Sequence, residues 1–198
     1  METFDKISKI HNGLTLLNFS HGLVFAYICA ERLFPNYDYF CGRENWGNPD
    51  FLKECIDLVG HLAEDTAIEK YSNNLKFKQE NILLVTPSSN DFSSVYCTYA
   101  MDACVVVYES LSFALYGNLE CLKIISKTSI ETVYIYITDK LYQKGQENTS
   151  DVLIYSSNEM IQEVNFQLQL LNMLHSNLPL KNIVKILGEE LKKSNINL

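Results

Sequence analysis

The stretch beginning at Asn48 constrains the chain most. It reads Asn-Pro-Asp-Phe-Leu-Lys-Glu-Cys-Ile-Asp-Leu-Val-Gly-His-Leu. Its apolar positions Phe51, Leu52, Cys55, Ile56, Val59 and Leu62 recur every three or four residues, which is one buried stripe of an α-helix. Asn48 offers a side-chain oxygen to the free N–H groups of a first helical turn. Pro49 suits the first helical position, where no N–H is needed.

The same grammar of cap and stripe returns along the chain. Ile7, Ile10, Leu14 and Leu17 fit one helical face. Leu23 to Phe34 reads as a very apolar helix that Pro35 is expected to end. Residues 70–86 are less regular, and Pro87 to Asp91 is a loop and cap cluster. A long apolar run from Val95 to Leu115 breaks at Gly117-Asn118. Leu122, Ile125, Ser129, Val133 and Tyr136 recur at helical spacing. Ser156 and Glu159 have capping-box spacing ahead of Ile161, Val164, Leu168, Leu171 and Leu174. Asn177-Leu-Pro179 opens a last helix through Ile183, Ile186 and Leu187.

Two runs, Val105 to Tyr108 and Val133 to Ile137, are β-branched and aromatic, which favours strand. Both lie in longer segments with helical spacing and no turn residues, so helix is expected. The expected fold is a compact all-α bundle of about seven or eight helices, with residues 1–198 forming one domain. Hydrophobic residues make up 47% of the 198, and a chain of this length can bury about two thirds of the surface it exposes unfolded. Such a core needs no metal or disulfide to hold it. Residues 144–149 are the most linker-like segment.

Twenty-four acidic and 16 basic side chains give a formal charge of −8. Acidic charge repels phosphate backbones, and the densest basic spots, Lys76-Phe-Lys78 and Lys192-Lys193, are short. Nucleic acid is therefore not an expected partner. The opening Met-Glu-Thr-Phe-Asp-Lys is unlike an export signal, and the longest apolar stretch, Gly22 to Ala30, is far short of the ~20 residues of a membrane span. A cytoplasmic protein is expected, with Cys29, Cys41, Cys55, Cys97, Cys104 and Cys121 reduced and buried.

Catalytic and cofactor motifs are weak. His11, His21, His61 and His175 are scattered, and there is no Glu-x-x-His or His-x-x-x-His. Ser126-Lys-Thr-Ser129 lacks the glycine-rich loop that a phosphate-binding lysine requires. Cys97 and Cys104 share a helix face with Val and Ala and read as core. No metal or cofactor is expected.

The suggestive set is Glu31, Arg32, Asp102 and Lys127, four charges inside apolar helical stretches. Charges are seldom buried unpaired. An internal polar network with at least one opposite-charge contact is the expected arrangement, and Asp102→Ala is then expected to cost roughly 3–5 kcal/mol. Glu189 stands as a surface position whose loss costs under about 0.5 kcal/mol. The competing reading makes Glu31, Asp102 and Lys127 a general acid, base and electrostatic stabiliser in an open cleft. Tyr37, Tyr39 and Trp46, in an aromatic-rich stretch near Pro35, form either a core corner or a partner surface.

Several blocks carry a resemblance. Cys29-Ala-Glu-Arg-Leu-Phe-Pro-Asn-Tyr37, followed by Phe40-Cys41 and Gly47, is one. Pro87-Ser88 with Asp91-Phe92, Ala100 to Cys104, Ser126 to Ile130 and Gln162 to Leu174 follow in order. They resemble the YjaG-like family, a bacterial family of unknown function, over nearly the whole chain. The resemblance implies an all-helical bundle and brings no activity, substrate or cofactor. It breaks at Gly60 and Tyr99, where the family usually carries Trp and Pro, so repacking is expected there.

The function expected from acidity, size and missing motifs is a non-enzymatic binding protein, most specifically an immunity protein that neutralises a basic toxin domain. An enzyme or small-ligand protein using Glu31, Asp102 and Lys127 is the first alternative. A self-associating homodimer is the second.

Overall fold

The computed structural model describes residues 2–65, 68–146, 150–176, 178–187, 190 and 193–196. Side-chain caps set most helix starts. The described residues form α1 (Glu2–Leu14), α2 (Phe19–Glu44), α3 (Pro49–Glu64), a 3-10 turn (Ile68–Tyr71), α4 (Ser72–Val85), α5 (Val95–Tyr116), α6 (Leu119–Tyr142), α7 (Asp151–Tyr155), α8 (Asn158–His175) and α9 (Leu180–Leu187). Asn18, Asn48, Ser94, Asn118, Ser150 and Ser157 each accept a backbone N–H of the turn that follows. Asn45 and Gly117 end α2 and α5 in the left-handed conformation. No strand occurs among the described residues, so both β-branched runs are helical and the fold is all-α. Among the described residues no helix is long and apolar enough to cross a membrane.

Three expectations change. Pro35 does not end its helix; α2 runs through it to Glu44. The ring removes one backbone donor, but Asn36, Tyr37, Phe40 and Cys41 beyond it are all buried. Their burial outweighs the local cost. The cap of α8 is Ser157, one residue later than expected, because Ser156 ends α7. Residues 72–85 form a regular helix whose apolar residues divide between two faces: Lys78 and Gln79 are buried beside Leu75 and Ile82, while Phe77, Leu83 and Leu84 are exposed. The helix start expected at Asn177, the linker residues 147–149 and Glu189 lie outside the described residues.

α2 is the spine. It packs against α3, α5, α6 and α8, and one continuous cluster of buried apolar side chains surrounds it. Gly22 lets α5 and α6 approach: a Cβ there would lie 2.4 Å from the Phe113 ring. At Gly60 the missing side chain makes room for the Tyr27 ring, which a Cβ would meet at 2.8 Å. Tyr27 thereby occupies space beside α3 that a larger residue at position 60 would need.

Candidate functional site

The four charges inside apolar helices do not converge. Glu31 turns to Lys53 of α3, which also reaches Asp57 at 3.0 Å. Arg32 pairs with Glu163 of α8 at 2.9 Å. Asp102 accepts a 2.8 Å hydrogen bond from the Thr132 hydroxyl, a neutral partner and not a cation. Burial pushes its carboxyl up to about 6, the Thr132 hydrogen bond opposing this and Glu131 adding to it. Lys127 is two-thirds exposed and, among the described residues, pairs with Glu131 on its own helix, at 3.4 Å. The opposite-charge contacts exist, but they run to Lys53, Glu163 and Glu131, outside the expected set.

What the interior does hold is a polar layer where α2, α6, α8 and the 193–196 segment meet. Glu163, 2% exposed, takes Arg32 on one oxygen and the Gln167 amide on the other, at 2.9 and 2.7 Å. Gln167 in turn accepts from the Ser126 hydroxyl at 2.6 Å. The Arg32 guanidinium lies 3.8 Å from the centre of the Phe166 ring. One turn along α2, Asn36 donates to Asn195 at 3.1 Å and accepts from the Ser194 hydroxyl. Asn195 donates to the Ser129 carbonyl at 3.0 Å. Three of the blocks that carry the family resemblance thus meet in space, through Arg32 and Asn36, through Ser126 and Ser129, and through Glu163, Phe166 and Gln167.

A signal for this layer was present. Met160, Glu163, Val164, Gln167, Leu171 and Leu174 occupy consecutive turns of one helical face, so Glu163 and Gln167 sit at core positions of α8. A polar cleft of about 490 Å³ opens beside it, lined by Arg32, Glu159, Glu163, Gln169, Lys193 and Ser194 among others. Glu31, Asp102 and Lys127 do not line that cleft. The acid, base and stabiliser arrangement therefore has no common reaction space there.

The aromatic set also separates. Tyr37 is fully buried, donating to the Val85 carbonyl at 2.7 Å and accepting from the Asn48 N–H at 3.1 Å. It pins the start of α3 to the end of α4 and is core, not partner surface. Trp46 is half-buried against Phe40 and Phe92. Tyr39 is exposed and packs on Tyr96.

All six cysteines are free and buried. Burial pushes the thiols of Cys55, Cys104 and Cys121 up to about 12, so they stay protonated. Among the described residues no three His, Cys, Asp or Glu side chains are grouped to hold a metal ion.

The outward face of α3 and α4 has a different character. Asp50, Glu54, Asp57, His61 and Glu64 are all exposed at helical spacing, forming an acidic stripe. Lys78 of α4 reaches Glu54 at 2.9 Å and ties the two helices side by side. On α4, Phe77, Leu83 and Leu84 are 60%, 68% and 75% exposed, far beyond what the core side of an amphipathic helix leaves in water.

The family model described as "Protein of unknown function (DUF416)" matches residues 9–197. Escherichia coli K12 "Uncharacterized protein YjaG" is 30% identical over 148 residues, covering 74% of this chain and 72% of that protein. An uncharacterised Haemophilus influenzae protein is 25% identical over 131 residues, 66% of each chain. A crystal structure of a DUF416 family protein from Shewanella baltica superposes with a TM-score of 0.80 at 23% identity, covering 95% of this chain and 97% of that one. That likeness supports the fold alone. The chain belongs to the DUF416 family of proteins of unknown function.

Proposed function

We propose that this is a non-enzymatic cytoplasmic binding protein that docks a basic protein partner on the outer face of α3 and α4. The observation that carries the reading is the exposure of Phe77 and Leu84, seven residues apart on one line of α4, and of Leu83 further round the same helix, on the helix that Lys78 ties to the exposed acidic stripe Asp50, Glu54, Asp57 and Glu64 of α3. Apolar side chains left in water give a partner something to bury. The acidic stripe and the net charge of −8 would steer a basic surface toward it. The most specific form of the proposal is an immunity protein that neutralises a basic toxin domain.

The test is affinity capture from the native host with the wild-type chain and with Leu84→Asp. The proposal expects one stoichiometric basic protein, retained by wild type and lost by the variant. Expressed alone, that protein should slow growth, and co-expression should relieve it. No stoichiometric partner, or equal capture by both chains, contradicts the binding face. A harmless partner contradicts the immunity form. A doubled solution mass that Leu84→Asp abolishes would place a second copy of this chain on the face instead.

A further inference from the structure

A second site, independent of the outer face, lies between α2, α5 and α6. Tyr39, Tyr96, Tyr99 and Tyr136, with Asp139 and Lys140, line most of a cavity of about 230 Å³. Tyr99 is 1% exposed, and its buried hydroxyl has no hydrogen-bond partner among the described residues. A buried hydroxyl left unpaired costs about 1–3 kcal/mol. The contrast with Tyr37 is direct: that fully buried hydroxyl both donates and accepts. Tyr99, whose hydroxyl is orphaned, is one of the residues that line a cavity large enough to hold a small molecule.

The chemistry of that space favours a cation. Tyrosine rings present negative π faces. Burial, and then the Asp139 carboxylate with smaller contributions from Tyr96, Tyr136 and Asp102, push the Tyr99 hydroxyl's ionisation up. The oxygen therefore sits in a negative field, neutral and able to accept. The protein's own cations already use the neighbouring rings. The Arg43 guanidinium lies 4.7 Å from the Tyr96 ring centre, and the Lys140 ammonium 5.6 Å from that of Tyr136. Lys140 is balanced by Glu159 at 2.6 Å. Asp139 accepts from the Gln143 side-chain amide at 2.7 Å and has no ion-pair partner among the described residues.

We propose that this cavity binds a small primary alkylammonium, its apolar chain against the tyrosine rings, its charge facing Asp139, and an N–H donated to the Tyr99 hydroxyl oxygen. Three probes of matched shape test it by calorimetry and by shifts of the tyrosine ring resonances: butylammonium, butanol and butyrate. Butylammonium should saturate with a Kd on the order of 1 mM, and butanol and butyrate should bind at least about tenfold more weakly. Tyr99→Phe removes a hydroxyl that has no partner among the described residues, so its thermal midpoint should hold or rise. Its butylammonium affinity should nevertheless fall about tenfold, as should that of Asp139→Asn. The proposal is overturned by butanol or butyrate binding as tightly as butylammonium. It is equally overturned by no saturable binding of butylammonium up to about 10 mM, or by affinities of both variants within about twofold of wild type.

Discussion

Arg32 and Glu163, 131 residues apart in the chain, meet at 2.9 Å with the carboxylate almost fully enclosed. The pair locks the middle of α2 to α8, and the Gln167 amide takes the second carboxylate oxygen. Such a pair is costly to break because the surviving charge stays buried. Glu163→Ala should lower stability by about 3–5 kcal/mol in urea unfolding. Arg32→Met with Glu163→Leu, which removes both charges and keeps the volume, should restore most of that loss. A double variant as unstable as the single one would mean that the pair's packing, not its charge balance, holds the helices.

In the block Ser126 to Ile130 a buried and an exposed polar residue stand next to each other. Ser126 is fully enclosed and donates to Gln167, whereas Lys127 points to water. Ser126→Ala should cost about 1–3 kcal/mol, because it orphans part of Gln167. Lys127→Ala should change stability by less than about 0.5 kcal/mol. Thermal unfolding of the two variants side by side measures the difference. Equal effects would contradict the separation of layer and surface.

These residues also show what the sequence could reveal. Asn48-Pro49 and Gly117 were legible as helix boundaries because cap chemistry is local, set by one side chain and the turn beside it. Pro35 was misread because its cost is local but the burial of Tyr37 and Phe40 that outweighs it is tertiary. In α4 the apolar residues divide between two faces, with Lys78 and Gln79 turned inward, so no single stripe announces the helix. The charges at Glu31, Arg32, Asp102 and Lys127 stood out against apolar neighbours. Their partners Lys53 and Thr132 did not, and Glu163 shows only by its core position on the α8 face, which does not tell which helix it will meet.

Asp102 gives a pH signature. Its carboxyl is raised from 3.8 to about 6 in the folded protein. The folded state therefore binds this proton more tightly than the unfolded state. The stabilisation is fully present below about pH 4 and is lost as pH rises through about 6, on the order of 2–3 kcal/mol in all. Asp102→Asn keeps a partner for Thr132 without the charge. It should flatten this part of the pH profile and be the more stable protein at pH 7. That reverses the destabilisation expected for a residue in an opposite-charge pair. An unchanged slope between pH 4 and 7 would show that the carboxyl titrates normally.

We propose that binding resides on the outer face of α3 and α4 while the interior charges serve the fold. The most direct measurement is the affinity of the captured partner for the wild-type chain and for Leu84→Asp, taken with the unfolding midpoint of each. The predicted result is binding at least about tenfold weaker for the variant, a loss of ~1.4 kcal/mol or more, with the midpoint unchanged. Equal affinity would contradict the claim.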